Sequence, residues 1–129
     1  MRKNYRFTAV LGAIGVILGA LGSHWMKTKV GPELLDAYKT GVLYHMIHVM
    51  AMFFCLILGD INKLEKPVAV ARFFALGIIL FSGSLYIMAF AQAFGGSARF
   101  IGPVTPIGEV AFIVGWIYLF INVKSKVSD

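Results

Sequence analysis

Four apolar blocks, at roughly 7–25, 41–59, 73–94 and 104–123, divide the chain, and the connections between them are too short to form a domain of their own. Each block reaches the length of about 20 residues that a helix needs to cross the hydrocarbon of a bilayer. In lipid every backbone N–H and C=O must be satisfied within the chain, so apolar blocks of this length are helices. Hydrophobic residues make up 59% of the 129 residues, and the mean hydropathy of +0.81 exceeds that of a soluble domain, where about half the residues are apolar. The sequence therefore predicts an all-α fold: a single domain over residues 1–129, an integral membrane bundle of four transmembrane helices. A short interfacial helix running into the second span is expected before it, because Gly31-Pro32-Glu33 carries a helix-start signature and Leu34, Leu35, Tyr38 and Val42 recur at helical spacing.

The net charge of +6 comes from basic residues in the tails and loops, without the interleaving of aromatic and basic residues that a nucleic-acid surface requires. Arg2, Lys3, Arg6, Lys63, Lys66, Arg72, Lys124 and Lys126 fall on one side of the membrane, whereas Lys27, Lys29, Lys39 and Arg99 fall on the other. The positive-inside rule then places both termini in the cytoplasm. Arg2, Lys3 and Arg6 ahead of an apolar run ending in Ala20-Leu21-Gly22 also fit a cleavable secretory signal. The run is longer than the usual signal core and carries a glycine pattern that a discarded peptide would not need, so an uncleaved first span is expected. Cys55 stands alone, which leaves no intramolecular disulfide and no Cys-x-x-Cys motif.

Between helices in lipid, packing rests on small residues that let backbones approach closely. In the first span Gly12, Gly15, Gly19 and Gly22 share one arc and form a seam for a neighbouring helix, of the same chain or of a second copy. Gly77 and Gly83 in the third span, and Gly108 and Gly115 in the fourth, are further packing positions. Ser82 and Ser84 suit hydrogen bonds to a carbonyl one turn back or across to a partner. Asp60 to Pro67 reads as a solvated turn, and Gly95 to Pro103 as a flexible connection or a lid, without the spacing of a phosphate loop.

Because the four spans alternate in direction, position along the chain converts to height in the membrane. His24 ends the first span, His45 and His48 lie near the start of the second, Gln92 near the end of the third, and Thr105 and Glu109 near the start of the fourth. All are expected in one polar layer toward the non-cytoplasmic face. An ionisable side chain at membrane depth is normally paired, turned inward or used. His45, His48, Met52 and Cys55 share one helical face, and their side chains are all metal-ligand types. Met52 and Cys55 climb too far from the histidines for one ion's first shell, which leaves His24, His45 and His48, with Glu109, as the only set that could hold a metal. No metal or other cofactor is expected. Histidine changes charge near neutral pH, so the same layer could instead carry or sense protons, or simply fix helix register.

Four segments in order carry a family resemblance: Gly19-Ala20-Leu21-Gly22-Ser23-His24, Tyr44-His45-Met46-Ile47-His48, Leu80-Phe81-Ser82-Gly83-Ser84-Leu85-Tyr86 and Thr105-Pro106-Ile107-Gly108. With these the chain resembles, over nearly its whole length, the YgdD-like family of small bacterial inner-membrane proteins, a domain of unknown function. The resemblance implies four helices in a bacterial cell membrane and supplies no activity. Where the family tends to have Gly-Ala-His-Gly this chain has Gly22-Ser23-His24-Trp25, and Glu109 replaces a family glycine.

No Ser-His-Asp series, paired carboxylates or nucleotide fingerprint is present. The expected function is that of a non-enzymatic multi-pass membrane protein whose polar layer binds a small ligand, a lipid head group or a partner. The candidate binding residues are His24, Tyr44, His45, His48, Ser82, Ser84, Gln92, Thr105 and Glu109. The alternative is an oligomeric transporter or proton-linked carrier of a small solute, built on a glycine-lined contact between copies. The expected partners are the lipid bilayer and a second copy or another membrane protein.

Overall fold

The structure is a computed structural model that describes residues 1–125; Lys126, counted above among the basic residues of the tails, lies outside them. Five helices follow in order: α1 at Arg2–His24, α2 at Pro32–Asp60, α3 at Pro67–Gly77, α4 at Gly83–Ala93 and α5 at Val104–Asn122. A π-helical turn at Ile78–Ser82 joins α3 and α4 into one rod. The described residues thus hold four stretches long and apolar enough to cross a membrane, Arg2–Thr28, Pro32–Asp60, Pro67–Ala93 and Arg99–Asn122. Each begins ahead of the apolar block that announced it. Among the described residues the only β contact is an isolated bridge between Leu64 and Val123.

Proline sets two of the starts. Pro32 and Pro67 occupy the first turns of α2 and α3, where a missing N–H leaves no hydrogen bond unmade. The expected interfacial helix is the opening of α2 itself, because nothing interrupts the helix between Pro32 and Asp60 and Tyr38 is already fully buried. At the other end of the third rod Gly95, at φ +84°, takes the left-handed conformation that stops α4.

Helices α1 and α2 pack antiparallel along the glycine seam. Gly12 faces Val49, Gly15 faces His45 and Met46, Gly19 faces Val42, and Gly22 faces Tyr38. Seven residues forward on α1 correspond to seven residues back on α2. The helix that meets the seam therefore belongs to the same chain, which leaves that face unavailable to a second copy. A Cβ on Gly22 would stand 2.5 Å from the Tyr38 ring.

Helix α5 lies on the third rod in the same way. Gly77 faces Phe112, Gly115 faces Phe74, and a Cβ on Gly108 would fall onto the backbone of Phe81 within the π turn. On the opposite side of that turn Gly41 of α2 meets Leu85 and Ser82. The π turn is thus held between two glycines from two other rods. Gly83 does not share this role: beyond the adjoining backbone of its own helix, its Cβ position meets within 4 Å only the Ile78 carbonyl of the same rod, at 3.9 Å.

The end of the bundle that carries the chain termini is clamped by polar contacts. The Tyr5 hydroxyl donates to Asp60 Oδ2 at 2.6 Å, the Glu65 N–H to the Asn122 carbonyl at 3.1 Å, and the Lys124 N–H to the Lys63 carbonyl at 3.0 Å. The segment expected as a merely solvated turn at 60–67 is therefore tied to the end of α5.

Gly108→Ala is expected to destabilise the fold by roughly 1–3 kcal/mol, because Phe81 presents backbone rather than a side chain that can swing aside. Gly83→Ala is expected to be neutral or stabilising by up to about 1 kcal/mol through helix propensity alone. Unfolding of both variants by SDS titration in mixed micelles checks the contrast.

Candidate functional site

Two side chains of α2 reach across to carbonyls of α1. His45 Nε2 lies 2.8 Å from the Leu11 carbonyl oxygen, and one heptad away the Tyr38 hydroxyl donates to the Leu18 carbonyl. Each carbonyl stands four residues before a glycine of the seam, so Leu11 pairs with Gly15 and Leu18 with Gly22. A Cβ at Gly15 would approach the His45 ring to 3.2 Å, inside ordinary contact distance. The glycines thus provide the space through which the donors reach helix carbonyls. One heptad earlier on α1 the corresponding position is Thr8, fully buried opposite the apolar Met52. There the Thr8 hydroxyl itself donates to the Asn4 carbonyl at 2.8 Å.

The partners of the two histidines dictate their protonation. The Leu11 carbonyl only accepts, so His45 carries its proton on Nε2, and its Nδ1 accepts from the Tyr86 hydroxyl at 2.9 Å. His48 is the reverse. The Trp116 indole N–H only donates, and it reaches His48 Nε2 at 3.1 Å, so the proton sits on Nδ1 and goes to the Tyr44 carbonyl at 2.7 Å. Both rings are buried, 2% and 5% exposed. His48 also stacks on Phe112, with ring centroids 3.7 Å apart and planes 14° from parallel. His45 ties α1, α2 and α4 together, and His48 ties α2 to α5.

The serines form a third group. Ser82 donates to the Gly41 carbonyl at 2.6 Å, and Ser84 bonds both the Phe81 carbonyl at 2.8 Å and the Thr105 hydroxyl at 2.6 Å. These contacts fasten the π turn to α2 and the first turn of α4 to the start of α5. Tyr44 packs its ring against Phe81 at a centroid distance of 4.9 Å. Among the described residues no buried side-chain nitrogen or oxygen lacks a partner.

The expected single polar layer does not form. His45 and His48 sit near the middle of the 29-residue α2, because that helix begins at Pro32 rather than near Gly41. His24 is exposed and stands nine residues beyond Gly15, the glycine opposite His45, which is about 13 Å along the axis. Gln92 Oε1 accepts the Gly31 N–H at 3.1 Å, before the start of α2 and about 20 Å from His45. Glu109 is exposed on α5, and none of the hydrogen bonds of the two histidines reaches it. The set His24, His45, His48 and Glu109 therefore cannot converge on one ion, and the ring nitrogens of His45 and His48 are already engaged. Among the described residues no three His, Cys, Asp or Glu side chains come together. Met52 and Cys55 are core residues.

A cavity of about 870 Å³ lies at the distal end of the bundle, away from the chain termini. Its polar rim is Glu33 in the first turn of α2, Gln92 near the end of α4, and Ser97 and Arg99 of the connection to α5. Ala37 and Met88, one turn deeper on α2 and α4, give it an apolar floor. The space exists because α5 is short. Thr105, in its first turn, is level with Ser84, and α4 continues past that level to Ala93, about 13 Å further. Of the residues expected to bind, only Gln92 lines this cavity. Glu33, Ser97 and Arg99 were not anticipated, because their convergence depends on how far α5 reaches. Tyr86 and Trp116, the side-chain partners of the two histidines, were not anticipated, and nor was Tyr38 as a donor to α1, for which the one signal was its heptad spacing from His45.

Fold and interior together define a small multi-pass helical membrane protein in which buried polar side chains tie rod to rod. Comparison with known proteins places it further. The chain belongs to the family of proteins of unknown function DUF423, whose model matches residues 18–109. It is 36% identical to the UPF0382 membrane protein YwdK of Bacillus subtilis, covering 87% of this chain and 91% of that protein. It is 36% identical to the UPF0382 membrane protein SSP2132 of Staphylococcus saprophyticus, covering 88% and 92%. With the UPF0382 inner membrane protein YgdD of Escherichia coli the identity is 33%, covering 90% of this chain and 85% of that one. No solved structure matches this chain. The resemblance drawn from the four sequence segments is thus shown to be membership, and the family names a membrane location without an activity.

Two-bond proton–nitrogen spectra of histidine-labelled protein at neutral pH are expected to show opposite neutral tautomers, Nε2–H for His45 and Nδ1–H for His48. Trp116→Phe removes the donor to His48 Nε2 and is expected to cost about 1 kcal/mol, the scale of interhelical hydrogen bonds in membranes, with a shift in the His48 signals alone. Equal tautomers at the two rings would contradict the assignment.

Proposed function

We propose that this protein is a non-catalytic membrane protein that holds the polar end of an amphiphilic molecule in the distal cavity, while its histidines fasten the helices. The observation that supports this is the cavity itself, with a polar rim over an apolar floor at the end of four membrane-spanning rods. Its volume lies within the range of about 300–1,000 Å³ typical of small-molecule sites. The histidine pair is a poorer candidate, because a ligand there would have to displace four hydrogen bonds already made within the chain.

Both termini lie in the cytoplasm in this proposal, and the cavity faces the opposite side. Its support is the charge asymmetry: Arg2, Lys3, Arg6, Lys63, Lys66, Arg72 and Lys124 occupy the terminal end, against Lys27, Lys29, Lys39 and Arg99 at the distal end. A carrier assembled through glycine-lined contacts between copies has less support, since the glycine faces of α1 and α5 are filled by α2 and by the third rod.

The native Cys55 is fully buried, so a single introduced cysteine reports cleanly. On intact cells a membrane-impermeant maleimide is expected to label Ser97→Cys and to spare Lys63→Cys. In detergent, added membrane lipid is expected to slow labelling of Ser97→Cys about tenfold, while Lys63→Cys reacts at an unchanged rate. Labelling of Ser97→Cys that is indifferent to lipid would exclude the cavity as the binding site.

A further inference from the structure

The cavity rim carries one carboxylate and one guanidinium, Glu33 and Arg99, and among the described residues no other charged side chain lines it. Lys27, Lys29, Asp36 and Lys39 belong to the same end of the bundle but lie outside the lining. A site for an anionic head group would be expected to gather several cations, and a site for a cation several carboxylates. One of each on separate elements suits a ligand that presents both signs close together. Glu33 stands in the first turn of α2, and Arg99 opens the short 3-10 turn Arg99–Ile101.

The remaining polar side chains of the rim, Gln92 and Ser97, both offer hydrogen-bond donors. Gln92 Oε1 accepts the Gly31 N–H and keeps a second lone pair, while its NH₂ group brings two further donors to the rim. Ser97 adds a hydroxyl. Arg99, the Gln92 NH₂ and the Ser97 hydroxyl together suit a phosphate, because guanidinium and amide donors match its oxygens. Glu33 alone suits an ammonium. The apolar floor at Ala37 and Met88 lies toward the membrane interior, where the first methylenes of an acyl chain would follow the head group down.

We propose that the distal cavity selects a zwitterionic phospholipid whose head group joins a phosphate to a primary ammonium. The phosphate takes Arg99, Gln92 and Ser97, and the ammonium takes Glu33. This rests on the reading above that the cavity holds an amphiphile. It adds the class of head group and commits the source to a lipid of the bilayer rather than a free solute.

The test uses the full chain carrying Ser97→Cys, in nanodiscs made with phosphatidylethanolamine or phosphatidylglycerol in an otherwise constant neutral lipid, with the labelling rate of the introduced thiol as readout. Phosphatidylethanolamine is expected to slow labelling about tenfold relative to phosphatidylglycerol. Arg99→Gln is expected to abolish protection by either lipid, and Glu33→Gln to abolish the preference between them. Both residues are exposed, and an unchanged helical circular dichroism spectrum and elution volume establish that the variants fold. Because the introduced thiol replaces one proposed phosphate donor, native mass spectrometry of the unsubstituted chain provides a second readout, expected to retain one phosphatidylethanolamine. Equal protection by the two lipids, or a preference for phosphatidylglycerol, overturns the head-group assignment and leaves the amphiphile reading standing. Slowing by soluble phosphoethanolamine in detergent at the same concentration overturns the lipid source. Protection by no lipid at all overturns both readings together.

Discussion

Close approach of helix backbones, made possible where a Cβ is missing, is the constraint on which the rest of this structure depends. Leu11 and Leu18 present carbonyls that His45 and Tyr38 reach because Gly15 and Gly22 leave space one turn further along α1. The π turn at Ile78–Ser82 sits between Gly41 and Gly108, near enough to α5 that a methyl group at Gly108 would meet the backbone of Phe81. In a bilayer no hydrophobic force draws one apolar helix to another, so contact must come from close packing and from hydrogen bonds between rods. Here the two are one device, since each α2 donor reaches its α1 carbonyl across a glycine.

That device also decides what the histidines do. A neutral imidazole has one donor and one acceptor, and both capacities of His45 and of His48 are used within the chain. Protonating His48 would set its Nε2–H against the Trp116 N–H, two donors facing each other. The Tyr86 hydroxyl could turn to accept from His45, but it would have to give up its present role as donor. Both rings are thus taken up by contacts between rods, and the residues that look most chemical in the sequence act as fasteners. The proposed binding role falls instead to the distal rim, where polar side chains keep unused hydrogen-bonding capacity.

The sequence made the number of rods, their alternation and the glycine seam of α1 legible, because each follows from local composition and from spacing at helical period. What it could not provide was relative height. Apolar blocks mark where lipid begins, not where a helix begins, and α2 starts at Pro32, nine residues ahead of its block. Counting from Gly41 put His45 near one face, whereas counting from Pro32 puts it near the middle. The same shift removed His24 and Gln92 from the histidine layer. Gly83 was misplaced for a related reason: the π turn inserts a wide turn just before it and rotates it off the face that packs. The cavity was invisible because it is defined by where α5 begins relative to α4, a property of tertiary packing rather than of any residue that lines it.

The two ends of the bundle are built differently, and this bears on where binding belongs. At the terminal end Tyr5 holds Asp60, Gly59 abuts Pro67, and the 63–65 segment pairs with the end of α5. At the distal end Trp25 stacks on Phe90 and packs at a tilt against Phe94, and one bond from Gly31, just ahead of α2, reaches Gln92 of α4. Between them lies the histidine level, which fixes the middle of every rod. A bundle clamped at one end and at its centre has a defined shape to offer at the other, and the short α5 leaves that end with space. Rigid support below and unused polar capacity above are the conditions a binding site needs, and among the described residues the distal cavity meets both.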